Sequence, residues 1–345
     1  MKAKKAGQGQ SLRGKDKRTL KTLTFRVHLS RLTLLVSSVL VASQVAPAME
    51  TDQFTVPPSP LYDIGPVLSR KVVEIIESNR TGDDPERALS RWIGRNIFES
   101  RLALWVNEIR VTEGRASFKP NVFNSIYRET LSPMPVSFWF DSPTVCLHGY
   151  YMGTDKIDHF FRQGYEYYDR VMKKQAKGAD AATAIAAAVA LGVKQEHHYY
   201  GMLITGIYSN GDLAANFAGM KFYMNLRQSV QIGERVLPPL FERTPQGWRL
   251  RADIDPDRLL EPFLSNHLDE SLNPSRYLFN RGSIRSLVRH RCDRWIRFYA
   301  DRLDLVAASG QSFATSWFGE EYGHWLPPGD EVSIATECDA IRLDR

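Results

Sequence analysis

Apolar and polar positions alternate with helical spacing over most of this chain. Val67, Val72, Val73 and Ile76 recur about one turn apart and predict an amphipathic helix starting near Ile64. Pro85 follows Asp83 and Asp84 and suits a first helical turn. A long helix is expected from there to about Ile109, burying Trp92, Ile93, Ile97, Leu102 and Trp105. Residues 112–150 carry several Pro and Gly and read as irregular, with room for short strands. Three helices are then expected in succession. Thr154 or Asp155 caps one running to about Lys174, and Asp180 caps an Ala-rich one from Ala181 to about Tyr200. The third opens at Asn210 or Gly211 and runs to about Met224. Short strands around Trp248 occupy a connector over 228–260, helix returns over 257–306, and 307–345 is loop-rich and aromatic. The pattern predicts a mainly α fold: a helical bundle core with short β and irregular segments, in a single large domain with its central block at 151–227 and a helical and looped extension at 257–345.

The first 48 residues follow another logic. Residues 1–31 hold ten Lys or Arg against one acid, Asp16, and an uncharged apolar run of eleven residues spans Leu32 to Ala42. Ala46-Pro47-Ala48 then offers a small-x-small cleavage site, so 1–48 reads as a signal peptide and 49–345 as an exported, periplasmic domain. An uncleaved inner-membrane anchor is the alternative, and the only membrane association the sequence suggests. The run is short for an ordinary span of about 20 residues. The leader's surplus of 9 positive charges exceeds the whole chain's +6, leaving −3 from Met49 onward. The basic balance therefore belongs to targeting and gives no support for a nucleic-acid partner. Over 181–208, Lys194, Glu196, His197 and His198 interrupt the apolar runs, which argues against a second span. Of Cys146, Cys292 and Cys338, an oxidising compartment permits one disulfide, and Cys292–Cys338 is the favoured pairing.

Candidate chemistry sits on the three central helices. Asp155 and His159 lie four residues apart, as do Asp212 and Asn216, and each pair shares a helix face. Glu196 lies between them. A carboxylate beside an imidazole fixes its tautomer and makes the other ring nitrogen a better base or ligand. The sequence thus nominates His159, Glu196 and Asp155 as catalytic, Asn216 and Lys156 as substrate-binding, and His159, Asp212 and Glu196 as metal ligands. The cofactor is otherwise unknown: the donor set suits a divalent metal of the zinc, manganese or iron type. Asp155 and Asp212 also stand where acids cap helices, and packed helices often satisfy each other through such a network. His197 and His198 adjoin Glu196 but point about 100° apart on a helix. Asn266-His267-Leu268-Asp269-Glu270 reads as a helix face or a rim of the site, and Glu320-Glu321-Tyr322-Gly323-His324 as a solvated turn.

The order Asp155-Lys156-x-x-His159-Phe160, then Glu196, then Asp212-x-x-Ala215-Asn216-x-x-Gly219 resembles the VanZ-like proteins over about a fifth of the chain. The resemblance implies that Asp155, Lys156, His159, Glu196, Asp212 and Asn216 are the matching positions, and it implies a link to the cell envelope. VanZ-like proteins are multi-span membrane proteins, whereas this chain has no second credible span and has long flanks outside the motifs. Two functions stand side by side. One is an exported, metal-assisted hydrolase acting on an envelope lipid or glycan. The other is a non-catalytic envelope scaffold or binding protein whose polar network fixes helix register.

Overall fold

Why the 65–77 segment is helical can be read from its cap and its stripe. In the computed structural model α1 (Gly65–Glu77) starts with a Pro in its first turn and buries Leu68, Val72, Val73, Ile75 and Ile76 on one side. The structure describes residues 50–79, 82–94, 100–121, 123–128, 142–198, 201–202, 205–278, 281–298, 331–334 and 336–338. The expected leader, the tail acids, Ile97, Tyr199 and Tyr200 all lie outside the described residues.

The single long helix expected from Pro85 is two. Helix α2 (Pro85–Ile93) ends at Gly94, whose φ of 77° no other residue type adopts cheaply. Helix α3 (Arg101–Asn107) starts afresh, with Ser100 Oγ accepting the Ala103 N–H. Strands β1 (Ser117–Phe118), β2 (Thr144–Leu147) and β3 (Tyr150–Gly153) form an antiparallel sheet in that order. Strand β3 runs straight into α4 (Thr154–Asp158). A π-helical turn, His159–Gln163, widens the rod before it continues as α5 (Gly164–Gln175). The sequence predicts a plain helix here, and the wide turn falls at His159, a kind of defect often found at functional positions.

Asp180 caps α6 (Ala181–His197) by accepting the Thr183 N–H. Strand β4 (Ile207–Tyr208) leads to α7 (Asn210–Asn225), capped by Ser209. Helix α7 is buried on every side, Met224 alone excepted, and so carries no amphipathic stripe. It is the axis of the bundle. It packs closely against the π-helical turn and α5: a Cβ on Gly219 would lie 1.8 Å from the carbonyl oxygen of Phe160 in that turn, so only glycine permits this approach.

Two hairpins follow, β5 (Val230–Ile232) with β6 (Arg235–Leu237) and β7 (Phe241–Thr244) with β8 (Gly247–Leu250). Helix was expected from 257. Instead 3-10 turns at Pro256–Arg258, Glu261–Phe263 and Asn266–Leu268 carry the chain to β9 (Ser275–Tyr277). Pro256 and Pro262 restrict the local backbone, and only α8 (Arg281–Phe298) is a full helix. Strand β9 pairs with β4 and with β10 (Glu331–Val332). The Cys292–Cys338 disulfide forms as expected, with a Cα–Cα distance of 5.7 Å. Mainly α with short antiparallel strands is the observed class, and the described residues belong to one compact unit, Pro47–Arg345. No helix among them is long and apolar enough to cross a membrane.

Candidate functional site

The start of the described chain is part of the site. Residues Glu50 to Val56 are all buried. This strap is held by polar side chains: Thr51 Oγ1 donates to Asp155 Oδ1 at 2.6 Å, and the Glu270 N–H donates to Gln53 Oε1 at 2.8 Å. Gly153 makes the first contact possible, since a Cβ there would sit 1.9 Å from Thr51 Oγ1 and 2.0 Å from Asp155 Oδ1.

Beneath the strap Lys156 reaches up from α4. Its ammonium lies 2.7 Å from Asp155 Oδ2, 2.7 Å from Asp212 Oδ1 and 2.5 Å from Glu270 Oε1. The Asp212 contact is an ion pair without hydrogen-bond alignment. Glu270 also accepts from the hydroxyls of Ser209 and of Ser275, the latter at 2.7 Å. Oxygens of Glu50, Asp155, Asp212 and Glu270 all lie within 4.8 Å of one another, so Lys156 is the cation inside a cage of four acids. Burial opposes charge on Lys156. The fields of Asp155, Asp212, Glu270 and Glu50 outweigh it and hold the amine well above its ordinary value.

The second half of the centre shares Asp212. His159 Nδ1 lies 3.0 Å from Asn216 Oδ1, and His159 Nε2 lies 3.2 Å from Asp212 Oδ2. An amide oxygen only accepts, so with Asn216 oriented this way Nδ1 carries the ring proton. Nε2 then confronts a carboxylate oxygen. Two acceptors at that distance need a cation between them, either a proton or a metal ion. Glu196 completes the group: His159, Glu196 and Asp212 each offer an atom within 4.8 Å of the others'. Glu196 accepts the Ser209 backbone N–H, while its Oε2 has no hydrogen-bond partner among the described residues. Desolvation, and then the charge of Asp212, push its carboxyl well above the usual carboxylate range. Gly201 allows the chain to fold back over it, a Cβ there lying 2.6 Å from Glu196 Oε2.

Charge accounting across the two halves is uneven. Glu50, Asp155, Glu196, Asp212 and Glu270 face one lysine and one imidazole, and none of these seven side chains is more than 6% exposed. Neither oxygen of Glu50 has a hydrogen-bond partner among the described residues. Burial, then Asp212 and Glu270, raise its carboxyl well above the ordinary range. A cavity of about 10 Å³ beside the Lys156 stem is walled mainly by apolar side chains such as Leu68, Met152 and Phe160. That is room for about one water.

All six positions nominated from the sequence converge, but in different pairs. Asp155 was expected to orient His159. Its two oxygens go instead to Thr51 and Lys156, and Asn216 orients the imidazole. Lys156 was expected to meet substrate, yet it is sealed among acids. Asn216, also nominated for substrate, spends its oxygen on His159. His197 packs its ring at a tilt of 52° against Tyr208 and, with His198, stays at the surface. Glu50, Thr51, Ser209 and Ser275 went unnoticed. Glu270 was seen only as a rim and is a central member. No spacing rule reaches it from α7, because the 3-10 turns bring it back.

No protein-family model, no curated protein and no solved structure matches this chain.

Proposed function

We propose that this is an exported cell-envelope protein whose buried centre holds one divalent cation on His159 Nε2, Glu196 and Asp212. The observation that carries the reading is that His159 Nε2 and Asp212 Oδ2 face each other 3.2 Å apart, both acceptors when Nδ1 holds the ring proton, beside Glu196 Oε2, which has no hydrogen-bond partner among the described residues. Nitrogen and carboxylate donors of this kind suit zinc, manganese or iron(II). The Asn216 carbonyl on Nδ1 is the outer contact that metal-bound imidazoles characteristically make. Lys156 makes the four-acid cage self-sufficient, so the His159 side is the half that gains from an ion. The VanZ-like motif resemblance marks these same positions and their envelope setting. The Cys292–Cys338 disulfide is consistent with an oxidising compartment.

Two roles for such an ion have separate support. The burial of every member favours a binding or scaffold role, in which the ion ties the π-helical turn, α6 and α7 together. Three protein ligands favour hydrolysis, because they leave a coordination position for a water that the metal would acidify, as in hydrolytic zinc sites. An envelope lipid or glycan is then the substrate class, and the closed arrangement must open to admit it. We place the binding role first.

The test is metal analysis of the purified exported chain, with melting followed under zinc and manganese titration. One ion per chain, and a melting temperature that drops on chelation, are expected. His159→Ala and Glu196→Gln should each abolish that drop. A chain that carries no stoichiometric metal and melts identically with and without chelator would end the reading. Loss of hydrolysis in Glu196→Gln with melting retained would reverse the order of the two roles.

A further inference from the structure

The strap that seals the buried centre has a second face. Phe54, Thr55 and Val56 form one wall of a cleft of about 470 Å³, which Phe118, Pro120 and two arginines of α8 complete. That volume falls within the range of small-molecule sites, about 300–1,000 Å³. Arg291 and Arg294 lie three residues apart, so both project from the same side of the helix. They are not equivalent. Arg291 is committed to the protein: it donates to Thr55 Oγ1 and, at 2.6 Å, to the Asn124 carbonyl, and it lies 3.8 Å from Asp52 Oδ2. Asp52 is itself committed, with Oδ2 accepting the Ile126 N–H at 2.9 Å. Arg294 is exposed at the cleft and has neither a hydrogen bond nor an ion pair among the described residues.

We propose that this cleft binds a small amphiphilic anion, with its carboxylate or phosphate on Arg294 and its apolar stem against Pro58 and Phe118. A planar guanidinium grips two oxygens of such a group at once. Arg291, held in place by the strap, adds to the positive potential without contacting the ligand. Pro58 and Phe118 supply apolar and aromatic surface for the rest of the molecule, which an inorganic ion would leave uncovered. This site is separate from the acid centre and does not depend on a metal there.

The experiment titrates the purified chain with octanoate, with phenyl phosphate, with inorganic phosphate and with uncharged octanol. Saturable binding of octanoate or phenyl phosphate at millimolar concentration or below is expected, with octanol and inorganic phosphate at least about tenfold weaker. Octanoate against phenyl phosphate decides between a carboxylate and a phosphate ester. Arg294→Gln should weaken the preferred probe about tenfold or more without changing the melting temperature, and Phe118→Ala should weaken octanoate while sparing inorganic phosphate. Absence of saturation with both amphiphiles, or equal affinity in Arg294→Gln and the parent chain, would overturn the proposal.

Discussion

The two halves of the buried centre share Asp212 but are neutralised in different ways. On one side four carboxylates surround an ammonium that the chain supplies itself, with Lys156 in contact with Asp155, Asp212 and Glu270. On the other side Asp212 Oδ2 faces an imidazole nitrogen at 3.2 Å, and Glu196 Oε2 has no hydrogen-bond partner among the described residues. A covalently tethered cation is present whenever the protein is folded, so the first half is a fixed part of the architecture. A proton or an ion taken up from solution varies with its surroundings, so under the proposed reading the second half is the one expected to respond to pH and metal. The difference separates what the fold requires from what a function would use.

Removing the tethered cation should have the largest effect. Lys156→Met keeps much of the side chain's volume but leaves Asp155, Asp212 and Glu270 without their common partner. Breaking a buried pair in this way costs about 3–5 kcal/mol, and the variant is expected to unfold early in urea or fail to accumulate. His159→Ala, measured in metal-free protein, removes the contacts to Asn216 and Asp212 and should cost about 1–3 kcal/mol. Should His159→Ala prove as damaging as Lys156→Met, the division into a structural and a responsive half is wrong.

Why some of this was legible and some was not follows from how each residue gets to the centre. Asp155, Lys156, His159, Asp212 and Asn216 lie on helical segments that the local sequence announces, so spacing by four brings them to one centre, though Asp155 does not pair with His159 there. Gly94 and the π-helical turn at His159 break expected regularity for different reasons. Glycine is a stop signal that the apolar pattern around Trp92 and Leu102 masked. The wide turn coincides with the close approach of Phe160 to Gly219, a contact between residues distant in sequence. Such approaches also decide partners: Asp155 turns to Lys156 and Thr51 because β3 and the strap deliver Thr51 beside it. Glu50 and Glu270 enter from segments without periodicity, one extended and one in 3-10 turns, where no pattern announces which side chains point inward. The candidate helices were thus readable, while the acids that close the cage were not.

An intermediate effect is expected from the strap. Thr51→Val removes the hydroxyl that bonds Asp155 Oδ1 at 2.6 Å and leaves a buried carboxylate oxygen unsatisfied. Hydrogen bonds to charged groups are worth about 1.5–3 kcal/mol. The loss should appear in urea unfolding of metal-free protein, and the melting shift produced by added metal should be unchanged, because Thr51 touches only the Lys156 half. A Thr51→Val chain that lost its metal response would show that the halves are coupled through the strap.

The smallest effect is a change of slope. Glu50 holds its proton more tightly folded than unfolded, because burial and the charges of Asp212, Glu270 and Asp155 outweigh the pull of Lys156. A group of this kind contributes stability below its unfolded value, close to the ordinary 4.5, and loses that contribution as pH rises through the higher folded value. Lys156 titrates in the same sense but far higher, its contribution persisting until the pH passes its own elevated value. Glu196 adds to the fall in metal-free protein, since its carboxyl is also raised. Metal-free chain should therefore lose stability steadily from about pH 5 towards neutrality. Glu50→Gln keeps the shape of the protonated acid and cannot ionise, so its stability curve over that interval should be flatter and should cross above the parent's near neutral pH. Saturating metal should flatten the remaining slope from the other half, by holding Glu196 ionised against a cation. If Glu50→Gln kept the parent's slope, Glu50 would be ionised in the folded chain, and the cage would need a second positive charge besides Lys156.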